Sequence, residues 1–594
     1  MIKSIINLAK ILYRAFGHYK KVLVLLFILS LVNGALEGIG ITTIVPIFSF
    51  LSQGQNTSAD VISGYIERGF VFLGIPFTLK FLLIFIIVLF VLKSIVLFLS
   101  SFITAKIAAN YEKDIRRDLF KATLQGNWKY LSKQKMGHLD QVLTTDIYTA
   151  SSLLFLLSTS AIILAKLIIY SGVAVNLSFV ITALALGLGS LLFLVFKPLY
   201  VKNKRMSEKI SQVYKDLAHF VNESIVGMKT VKSFLAEREV VARGNDYFEQ
   251  VKKYNIKSAV LRSLSNASIQ PVGLIFIMAI FAYYYKTSIV NFASFVVIVY
   301  AINQIFTLLQ AGQNNFNALV SAVPYIKNVL DYRDLALNNK ETDEGKGKFI
   351  FKEALKAEEL TFNYEKDQPV LNSINFSLAK GEMVGLIGPS GAGKTTIVDL
   401  LLRLLSAEKG TISVDGRDIK EIALSEWRAN VGYVSQDVFL MNDTIAKNIR
   451  FYDDSIKEEE IIEATKAANI YDFILSLPNK FDTIIGERGT LLSNGQRQRV
   501  ALARVLARRQ KILILDEATS ALDNESEALI QEAILKLKGK ITILVIAHRL
   551  STVMATDRII VLENGKIIEE GKPDRLLKDS NSYFYKVYNI RELA

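Results

Sequence analysis

Six long apolar stretches fill most of the first half of the chain. They cover residues 22–50, 77–105, 152–175, 177–196, 258–285 and 289–309. A helix needs about 20 apolar residues to cross a bilayer, so each stretch is long enough to span one. From residue 350 onward, short apolar runs alternate with helical patterns, which is typical of an α/β domain with a mainly parallel sheet. The pattern predicts an α-helical membrane domain with six transmembrane helices, fused to an α/β domain.

A polar, charge-dense stretch separates these two halves. Residues 338–348 read NNKETDEGKGK, a composition typical of a linker. We therefore expect a membrane domain over residues 1–336, a linker over 337–349 and the α/β domain over 350–594.

The charges between the apolar stretches predict how they cross the membrane. Segments 106–135 and 197–257 are rich in Lys and Arg, whereas segments 52–76 and 171–178 carry few charges. Basic loops remain in the cytosol, so both termini are expected there. Residues 108–131 and 206–253 have helical periodicity and are predicted to continue as helices into the cytosol. Residues 1–20 are amphipathic without a cleavage site, so we expect an elbow helix along the membrane face.

Three ionisable side chains lie inside the apolar stretches: Glu37, Lys93 and Lys166. Charges at membrane depth are costly and usually face a bundle interior or a water-filled cavity. One hypothesis is that these side chains face a transported substrate. The alternatives are an internal ion pair or side chains that reach toward the interface. Gly34, Gly38 and Gly40 form a stripe of small residues around Glu37, which predicts close helix packing.

A glycine-rich motif marks the start of the α/β domain. Residues 388–395 read GPSGAGKT, between an apolar run at 383–387 and a helical pattern from 397. Strand, glycine-rich loop and helix in this order form a phosphate cradle, in which backbone N–H groups and a helix N-terminus surround a polyphosphate. Lys394 would meet the terminal phosphates and the Thr395 hydroxyl would reach Mg²⁺. A chance glycine turn would not have these flanking elements, so we expect a nucleoside triphosphate to bind.

Two later apolar runs end beside groups that suit this chemistry. Run 511–516 ends in Asp516, whose carboxylate would reach the metal that Thr395 contacts. Glu517 follows directly and is placed to polarise an attacking water. His548 follows the run at 541–546 and would contact the γ-phosphate, with a purely structural role as the alternative. Residues 558–568, with Asn564 and Gly565 at their centre, predict a β-hairpin.

Overall composition excludes several functions. The formal net charge is +14, but much of the basic excess flanks the apolar stretches, which argues against nucleic-acid binding. The chain has no cysteine, which excludes disulfides, zinc–thiolate sites and cysteine nucleophiles. This suits a protein facing reducing cytoplasm, although a chain engineered to lack cysteine would look the same.

Five further motifs lie along the chain, the first before the phosphate loop and the other four after it. Tyr364 ends TFNY, Gln436 lies in VSQD at 434–437, residues 486–489 read GERG, residues 492–496 read LSNGQ, and residues 520–523 read SALD. With the phosphate loop, they resemble the ATP-binding cassette family, specifically an exporter half-transporter with a membrane domain and a nucleotide domain in one chain. The resemblance covers essentially the whole chain.

The resemblance implies roles for residues of these motifs. Tyr364 would stack on adenine, and Gln436 would act in catalysis beside Glu517 and His548. Mg²⁺ would be held by Thr395, Gln436 and Asp516. The residues implied to bind ATP are Gly388, Ser390, Gly391, Ala392, Gly393, Lys394, Thr395 and Thr396 of the phosphate loop, Ser493, Gly495 and Gln496 of the LSNGQ motif, Asp523 and Tyr364.

The resemblance also implies a dimer in which nucleotide domains pair head to tail. Lys394 of one protomer and Ser493 of the other would hold the same ATP, with a homodimer expected and a heterodimer as the alternative. Asn494 stands where the family usually has glycine, which bears on how tightly this contact forms. By position, residues 124–134 and 211–217 resemble the family's coupling helices, and residues 222–234 resemble the stretch after the second one.

The favoured function is ATP-driven export or flipping of an amphipathic substrate, a lipid or lipid-linked saccharide, across a bacterial-type cytoplasmic membrane. Lys93 and Lys166 would pair an anionic headgroup, and residues 37–46 resemble the first span of glycolipid exporters. A peptide or drug exporter on the same scaffold is the main alternative. A non-transporting regulator is disfavoured by Glu517 and His548, because a gate does not need turnover. An importer is disfavoured because importers of this family usually keep permease and ATPase on separate chains.

Overall fold

The computed structural model describes residues 10–43, 46–47, 50, 61–72, 74–134, 136–287, 292–364, 369–516, 523–547 and 549–586. The chain divides into two compact units. The first ends at Lys340, and the main part of the second begins at Glu341.

The first unit is helical. Residues 10–16 are helical, and the further helices are α1 (Lys20–Thr42), α2 (Val61–Phe72), α3 (Leu79–Leu124), α4 (Trp128–Leu131), α5 (Met136–Gln141), α6 (Ile147–Leu177), α7 (Phe179–Val195), α8 (Lys197–Val226), α9 (Met228–Ser233), α10 (Glu237–Thr287) and α11 (Phe292–Asn338). The first two residues of α4 group with the second unit. A 3₁₀ turn, Gly17–Tyr19, precedes α1, and a π-helical turn, Val142–Asp146, connects α5 to α6.

The predicted membrane crossings fall on these helices. Among the described residues, five helices are long and apolar enough to cross a membrane, or six if α7 and α8, which meet at a 44° bend, form one span. The six apolar stretches of the sequence lie on α1, α3, α6, α7, α10 and α11, apart from positions outside the described residues. The helical membrane fold with up to six crossings is therefore confirmed.

The predicted cytoplasmic extensions are helical but broken. In the first, α3 ends at Leu124 and α4 begins after a short turn. In the second, α8 ends before Gly227, and Leu235 adopts a positive φ of 53° before α10 begins. The placement of a coupling helix at residues 211–217 is wrong, because these residues lie inside α8, where the chain cannot reverse. The reversal falls instead at α9, whose flanking Gly227 is the local signal.

The predicted small-residue packing around Glu37 is confirmed. A Cβ on Gly38 would lie 2.3 Å from Ile169 Cγ2, and one on Gly34 would lie 2.9 Å from Ile169 Cδ1. On the same helix, a Cβ on Gly40 would meet the Phe90 ring at 3.0 Å. Helix α1 therefore packs closely against α6 and α3 because its contact face lacks side chains.

The second unit is α/β. Its strands are β1 (Ala354–Asn363), β2 (Pro369–Ala379), β3 (Met383–Ile387), β4 (Lys409–Val414), β5 (Arg417–Asp418), β6 (Val431–Val434), β7 (Ile512–Asp516), β8 (Thr542–Ile546), β9 (Arg558–Glu563) and β10 (Lys566–Gly571). Its helices are α12 (Lys394–Leu401), α13 (Leu424–Asn430), α14 (Ile445–Arg450), α15 (Glu458–Ala467), α16 (Tyr471–Ser476), α17 (Asn494–Leu506), α18 (Asn524–Leu537), α19 (Leu550–Met554) and α20 (Pro573–Lys578). Short 3₁₀ turns lie at Ile419–Glu421, Lys480–Asp482 and Glu487–Gly489.

A six-stranded sheet organises this unit, in the order β10-β9-β3-β8-β7-β6. All pairs from β9 to β6 are parallel, and only the β9–β10 hairpin is antiparallel, as its Asn564–Gly565 turn predicts. Strands β3, β7 and β8 are buried along their whole length, which explains their continuous apolar sequence. Because these three strands are neighbours and parallel, the phosphate loop after β3, Asp516 at the end of β7 and Ala547 after β8 lie at one edge of the sheet.

A second sheet and the segment predicted as a linker complete the unit. The smaller sheet is antiparallel, in the order β2-β1-β4-β5. Helix α11 continues to Asn338, and the residues from Glu341 onward belong to the second unit. The backbone N–H groups of Lys346 and Gly347 donate to the Glu421 carbonyl, and Arg428 forms an ion pair with Glu341.

The contact between Gly38 and Ile169 gives a test of the packing in the first unit. Gly38→Ala should destabilise the protein by about 1–3 kcal/mol, because the new methyl group overlaps the Ile169 side chain. In the double variant Gly38→Ala with Ile169→Ala, the loss should be smaller than the sum of the single losses. Thermal unfolding in detergent measures this. Gly172→Ala is the control, because a Cβ added at Gly172 would meet no heavy atom within 4 Å apart from the backbone of its own helix. Additive losses would contradict the contact.

Candidate functional site

The phosphate loop connects β3 to α12 in a conformation that requires glycine. Gly388, Gly391 and Gly393 have φ angles of 151°, 80° and 105°. A Cβ on Gly388 would lie 2.0 Å from the Leu562 carbonyl oxygen of neighbouring β9. The loop therefore approaches the sheet so closely that only glycine fits. The polar groups that line the loop are therefore its own backbone N–H groups and the first turn of α12.

Lys394 is a buried cation in the centre of this loop. Its Nζ donates to the carbonyl oxygens of Gly388 and Pro389, at 2.8 and 2.9 Å. Thr395 is exposed at the first turn of α12, whereas Ala392 and Thr396 are buried. Ser390 is exposed on the outer side of the loop.

Asp516 lies at the carboxyl end of β7 and is buried. Its Oδ2 accepts a hydrogen bond from the Tyr433 hydroxyl, at 3.2 Å. Burial, with repulsion from Asp516, raises the pKa of Asp399 to about 6. Two carboxyl groups that repel one another beside a phosphate loop suit a divalent cation, and carboxylate, hydroxyl and amide oxygens are ligands that Mg²⁺ accepts. Gln436 is exposed two residues beyond β6, next to β7, so Thr395, Asp516 and Gln436 offer a donor set that fits Mg²⁺.

Tyr364 follows β1 and joins the same site. Its hydroxyl is 3.3 Å from Thr396 Oγ1, and its ring meets the Phe362 ring edge-on, with centroids 5.0 Å apart. The side chain is 45% exposed, which leaves a ring face open for stacking. The structure therefore brings this aromatic residue to the first turn of α12.

The LSNGQ motif forms the start of α17. The Ser493 hydroxyl accepts from the Gln496 N–H, and Gln496 Oε1 accepts from the Ser493 N–H, which is a reciprocal capping box. A Cβ on Gly495 would lie 2.4 Å from the Ser526 side chain of α18. Asp523 caps α18 through the Ser526 N–H, and that backbone hydrogen bond holds the Asp523 pKa below its usual range. Through Ser526, the motif and Asp523 form one rigid cluster.

Asn494 and the residues that follow β7 and β8 are the remaining site residues that the sequence predicts. Asn494 is exposed at the first position of α17, and its Oδ1 accepts from the Arg497 guanidinium. Glu517 and His548 lie outside the described residues, as do positions 520–522. Their predicted roles stay predictions.

Two residues near Asp516 were not predicted from the sequence. Tyr433 lies on β6 and Asp399 on α12, so neither belongs to a motif that marks the nucleotide site. Asp399 lies four residues after Thr395, on the same face of α12 one turn later, and this spacing was the available signal. Tyr433 is brought near Asp516 by the pairing of β6 with β7, which only the fold reveals.

Glu37, Lys93 and Lys166 form an ionic cluster between α1, α3 and α6. Glu37 Oε2 lies 3.1 Å from Lys93 Nζ and 2.6 Å from Lys166 Nζ. The Tyr170 hydroxyl donates to Glu37 Oε1, at 3.0 Å. The charged side chains are between 12 and 23% exposed. The internal ion pair that the sequence allowed is therefore present, but one carboxylate faces two ammonium groups.

Protein family models match both units. Residues 371–520 match the ABC transporter model, and residues 23–311 match the ABC transporter transmembrane region. The chain belongs to the ABC transporter family. Proteins named ATP-dependent lipid A-core flippase from Syntrophus aciditrophicus and Saccharophagus degradans are 33% and 34% identical to this transporter over 503 and 504 residues. These alignments cover 83% and 81% of the transporter and 81% and 82% of the relatives.

Other similarities extend over the same length. An uncharacterized ABC transporter ATP-binding protein, YwjA of Bacillus subtilis, is 32% identical over 487 residues, covering 80% of this transporter and 84% of the relative. The solved structure of a bacterial Atm1-family ABC exporter with ATP bound matches with a TM-score of 0.80. It is 24% identical and covers 98% of this transporter and 99% of that chain, which shows the exporter fold.

The transporter is therefore an ABC exporter, an integral membrane protein that binds and hydrolyses ATP. Its membrane and ATP-binding domains are fused in one half-transporter, and exporters of this kind usually work as dimers.

The exposed ring of Tyr364 gives a test of the nucleotide site. Tyr364→Ala should raise the KM for ATP about tenfold, because stacking of a base on an aromatic ring contributes about 1–3 kcal/mol. Tyr364→Phe should leave the KM within about twofold, because it keeps the ring and loses only the 3.3 Å contact with Thr396. Steady-state ATPase measurements on both variants decide this. Equal effects of both variants would show that the hydroxyl, not the ring, contributes to ATP binding.

Proposed function

We propose that this transporter is a homodimer that moves an anionic amphipathic lipid, or a lipid-linked saccharide, out of the cytoplasmic leaflet of a bacterial cytoplasmic membrane. The observation that carries the proposal is the ionic cluster of Glu37, Lys93 and Lys166. The cluster contains two cations and one anion, and it lies on three helices that are apolar enough to span a membrane.

The charge balance of this cluster favours an anionic ligand. Both lysines share one oxygen of Glu37, so the cluster keeps an excess positive charge. An uncompensated charge is costly in a low-dielectric region, and a phosphate or carboxylate between the ammonium groups would offset it with charge-assisted hydrogen bonds. The side chains remain partly exposed, so a headgroup can reach them.

Similarity to other proteins supports a lipid substrate without identifying it. Several relatives at about one third identity are named lipid A-core flippases. A drug or peptide exporter on the same scaffold is the alternative, and it predicts that uncharged or cationic compounds act as well as anionic lipids.

The nucleotide site would use its residues as follows. Lys394 would leave the carbonyl groups of its own loop and bind the terminal phosphates, whose charge is a stronger partner. Phosphate-loop N–H groups would bind the remaining phosphate oxygens, and Tyr364 would stack on the adenine ring. Mg²⁺, held by Thr395, Gln436 and Asp516, would neutralise charge on the phosphates. Glu517 would polarise the attacking water, and His548 would contact the γ-phosphate.

Dimer formation would complete each ATP site. Ser493, Gly495 and Gln496 of one protomer would contact the triphosphate bound by the other, with Asp523 beside them in the interface. Asn494 adds a side chain there and keeps Arg497 nearby, so we expect a looser contact than glycine would allow. Closure of the nucleotide domains would move the cytoplasmic helices, and the exposed apolar side chains of Phe234 and Leu235 next to α9 suit docking in the dimer.

The ionic cluster predicts opposite effects of two substitutions. In liposomes, a phosphate-bearing glycolipid should stimulate ATP hydrolysis more than its neutral counterpart. Lys93→Ala leaves Glu37 and Lys166 as a balanced pair, so half-maximal stimulation should need about tenfold more lipid. Glu37→Gln leaves two cations without an anion, so half-maximal stimulation should need less lipid.

Lys80→Ala, which removes an exposed lysine near the start of the same helix α3, is the matched control and should behave as the unmodified protein. Equal stimulation by unrelated neutral or cationic drugs would favour the drug exporter. A parallel loss in Lys93→Ala and Glu37→Gln would indicate that the cluster only supports the fold.

Hydrolysis and transport can be separated at Glu517. Glu517→Gln should lower the ATPase rate at least about 100-fold, because a positioned general base contributes about that much or more. ATP should stay bound between two copies, so the purified variant should retain nucleotide and dimer mass in light scattering while lipid flipping stops. Glu525→Gln, at an exposed position of α18, is the control. Unchanged flipping in Glu517→Gln would remove the hydrolytic model.

A further inference from the structure

The hydroxyl of Tyr433 joins two strands that each lead to an expected metal ligand. Strand β6 contains Tyr433 and is followed by Gln436, and strand β7 ends in Asp516. The Tyr433 hydroxyl donates to Asp516 Oδ2, at 3.2 Å, and Asp516 is buried. This hydrogen bond therefore connects the strand that leads to one expected Mg²⁺ ligand with the carboxylate of another.

Strand register and side-chain length explain why a tyrosine makes this contact. Strands β6 and β7 are parallel, and Tyr433 lies opposite Ile514, two residues before Asp516. Two residues of a strand extend about 6–7 Å, so a long side chain on β6 is needed to reach the Asp516 carboxylate. The Tyr433 ring packs against the apolar cluster that contains Ile514 and, on α12, Val398. This packing holds the hydroxyl at the end of β7.

Strand β6 is itself held firmly, although it lies at the edge of the sheet. A Cβ on Gly432 would lie 2.3 Å from Val505 Cγ1 of α17, so the strand and this helix approach closely. Val431 and Val434, at the two ends of β6, are buried. The backbone at Tyr433 is therefore a fixed support for its hydroxyl group.

A second carboxyl group makes the orientation of Asp516 important. Asp399 lies on α12, and burial, together with repulsion from Asp516, raises the pKa of Asp399 to about 6. Such repulsion favours rotation of the Asp516 carboxylate away from Asp399 when no cation is bound. A donor on Oδ2 opposes this rotation, in the way that hydrogen bonds to metal-binding carboxylates orient them. A phenol keeps its proton at neutral pH, so Tyr433 is a donor with and without a cation.

We propose that Tyr433 is a positioning residue for the cation of the nucleotide site. Its hydroxyl holds the Asp516 carboxylate in the orientation that binds Mg²⁺, and its ring fixes that orientation relative to β6. Tyr433 acts through Asp516 and contributes no ligand atom of its own. The inference deepens the proposed function, because it rests on the proposed set of Thr395, Gln436 and Asp516 around the cation.

The conservative variant Tyr433→Phe tests this role, because it keeps the ring and removes the hydroxyl. The full-length protein in nanodiscs is loaded with the β,γ-imido analogue of ATP and titrated with Mn²⁺, whose unbound form is measured by electron paramagnetic resonance. Loss of a group that orients a metal ligand typically weakens metal binding roughly 10- to 100-fold, so the Kd for Mn²⁺ should rise about tenfold or more. Tyr471→Phe, the same change on α16, is the matched control and should leave this Kd unchanged.

Two further measurements separate positioning from a role in folding. With EDTA in place of the cation, Tyr433→Phe should bind trinitrophenyl-ATP as tightly as the unmodified protein, because the lost hydrogen bond orients only a metal ligand. In steady-state ATPase assays, the Mg²⁺ concentration for half-maximal rate should rise by the same factor as the Kd for Mn²⁺. The kcat at saturating Mg²⁺ should be largely restored.

Asp516→Asn provides a background in which the hydroxyl has no carboxylate to orient. Asp516→Asn alone should raise the Kd for Mn²⁺, because it removes a charged ligand. Adding Tyr433→Phe to Asp516→Asn should raise the Kd much less than Tyr433→Phe does alone, because the two side chains act as one unit.

The outcomes distinguish this inference from the cation site on which it rests. A Kd for Mn²⁺ that rises in Asp516→Asn but not in Tyr433→Phe would overturn the inference and leave the proposed cation site intact. An equal loss of metal-free nucleotide binding in Tyr433→Phe, or fully additive losses in the double variant, would show that Tyr433 only supports the fold. An unchanged Kd in Asp516→Asn would overturn both the inference and the proposed cation site.

Discussion

Buried charge is the constraint on which this transporter depends. In the nucleotide unit, Lys394 is buried and its ammonium donates to two carbonyl groups of its own loop. In the helical unit, two ammonium groups share one carboxylate oxygen of Glu37. Burying a charged group costs free energy, so each ammonium group has to meet polar or charged groups of the protein.

The two units achieve this with different architectures. In the α/β unit, parallel buried strands bring the phosphate loop and Asp516 to one edge, and glycine at 388 lets the loop lie against β9. In the helical unit, Gly34 and Gly38 let α1 approach α6, which brings Glu37 within reach of Lys166. Close backbone approach is thus a condition for the ionic cluster as well as for the phosphate loop. In both units, small residues allow a close approach of backbones that larger residues would prevent.

Features determined by neighbouring residues could be predicted from the sequence, whereas features determined by long-range packing could not. The phosphate loop, the apolar spans and the β9–β10 hairpin are local patterns, and the structure contains all of them. Tyr433 becomes a neighbour of Asp516 through the pairing of β6 with β7, and Asp399 through the position of α12 relative to the sheet, so no motif marks them. The ion pairs of Glu37 could be considered only as an alternative, because sequence does not reveal which faces of three helices meet.

The predicted position of the second coupling helix is wrong for a physical reason. The position of residues 211–217 relative to the apolar stretches predicts a coupling helix there, but these residues lie in the interior of α8, with Ser211 and Val213 buried. A chain reversal needs a break in helical hydrogen bonding, and the nearest one follows Gly227. Breaks in helical hydrogen bonding, more than the apolar pattern, therefore decide where the chain of the helical unit can turn.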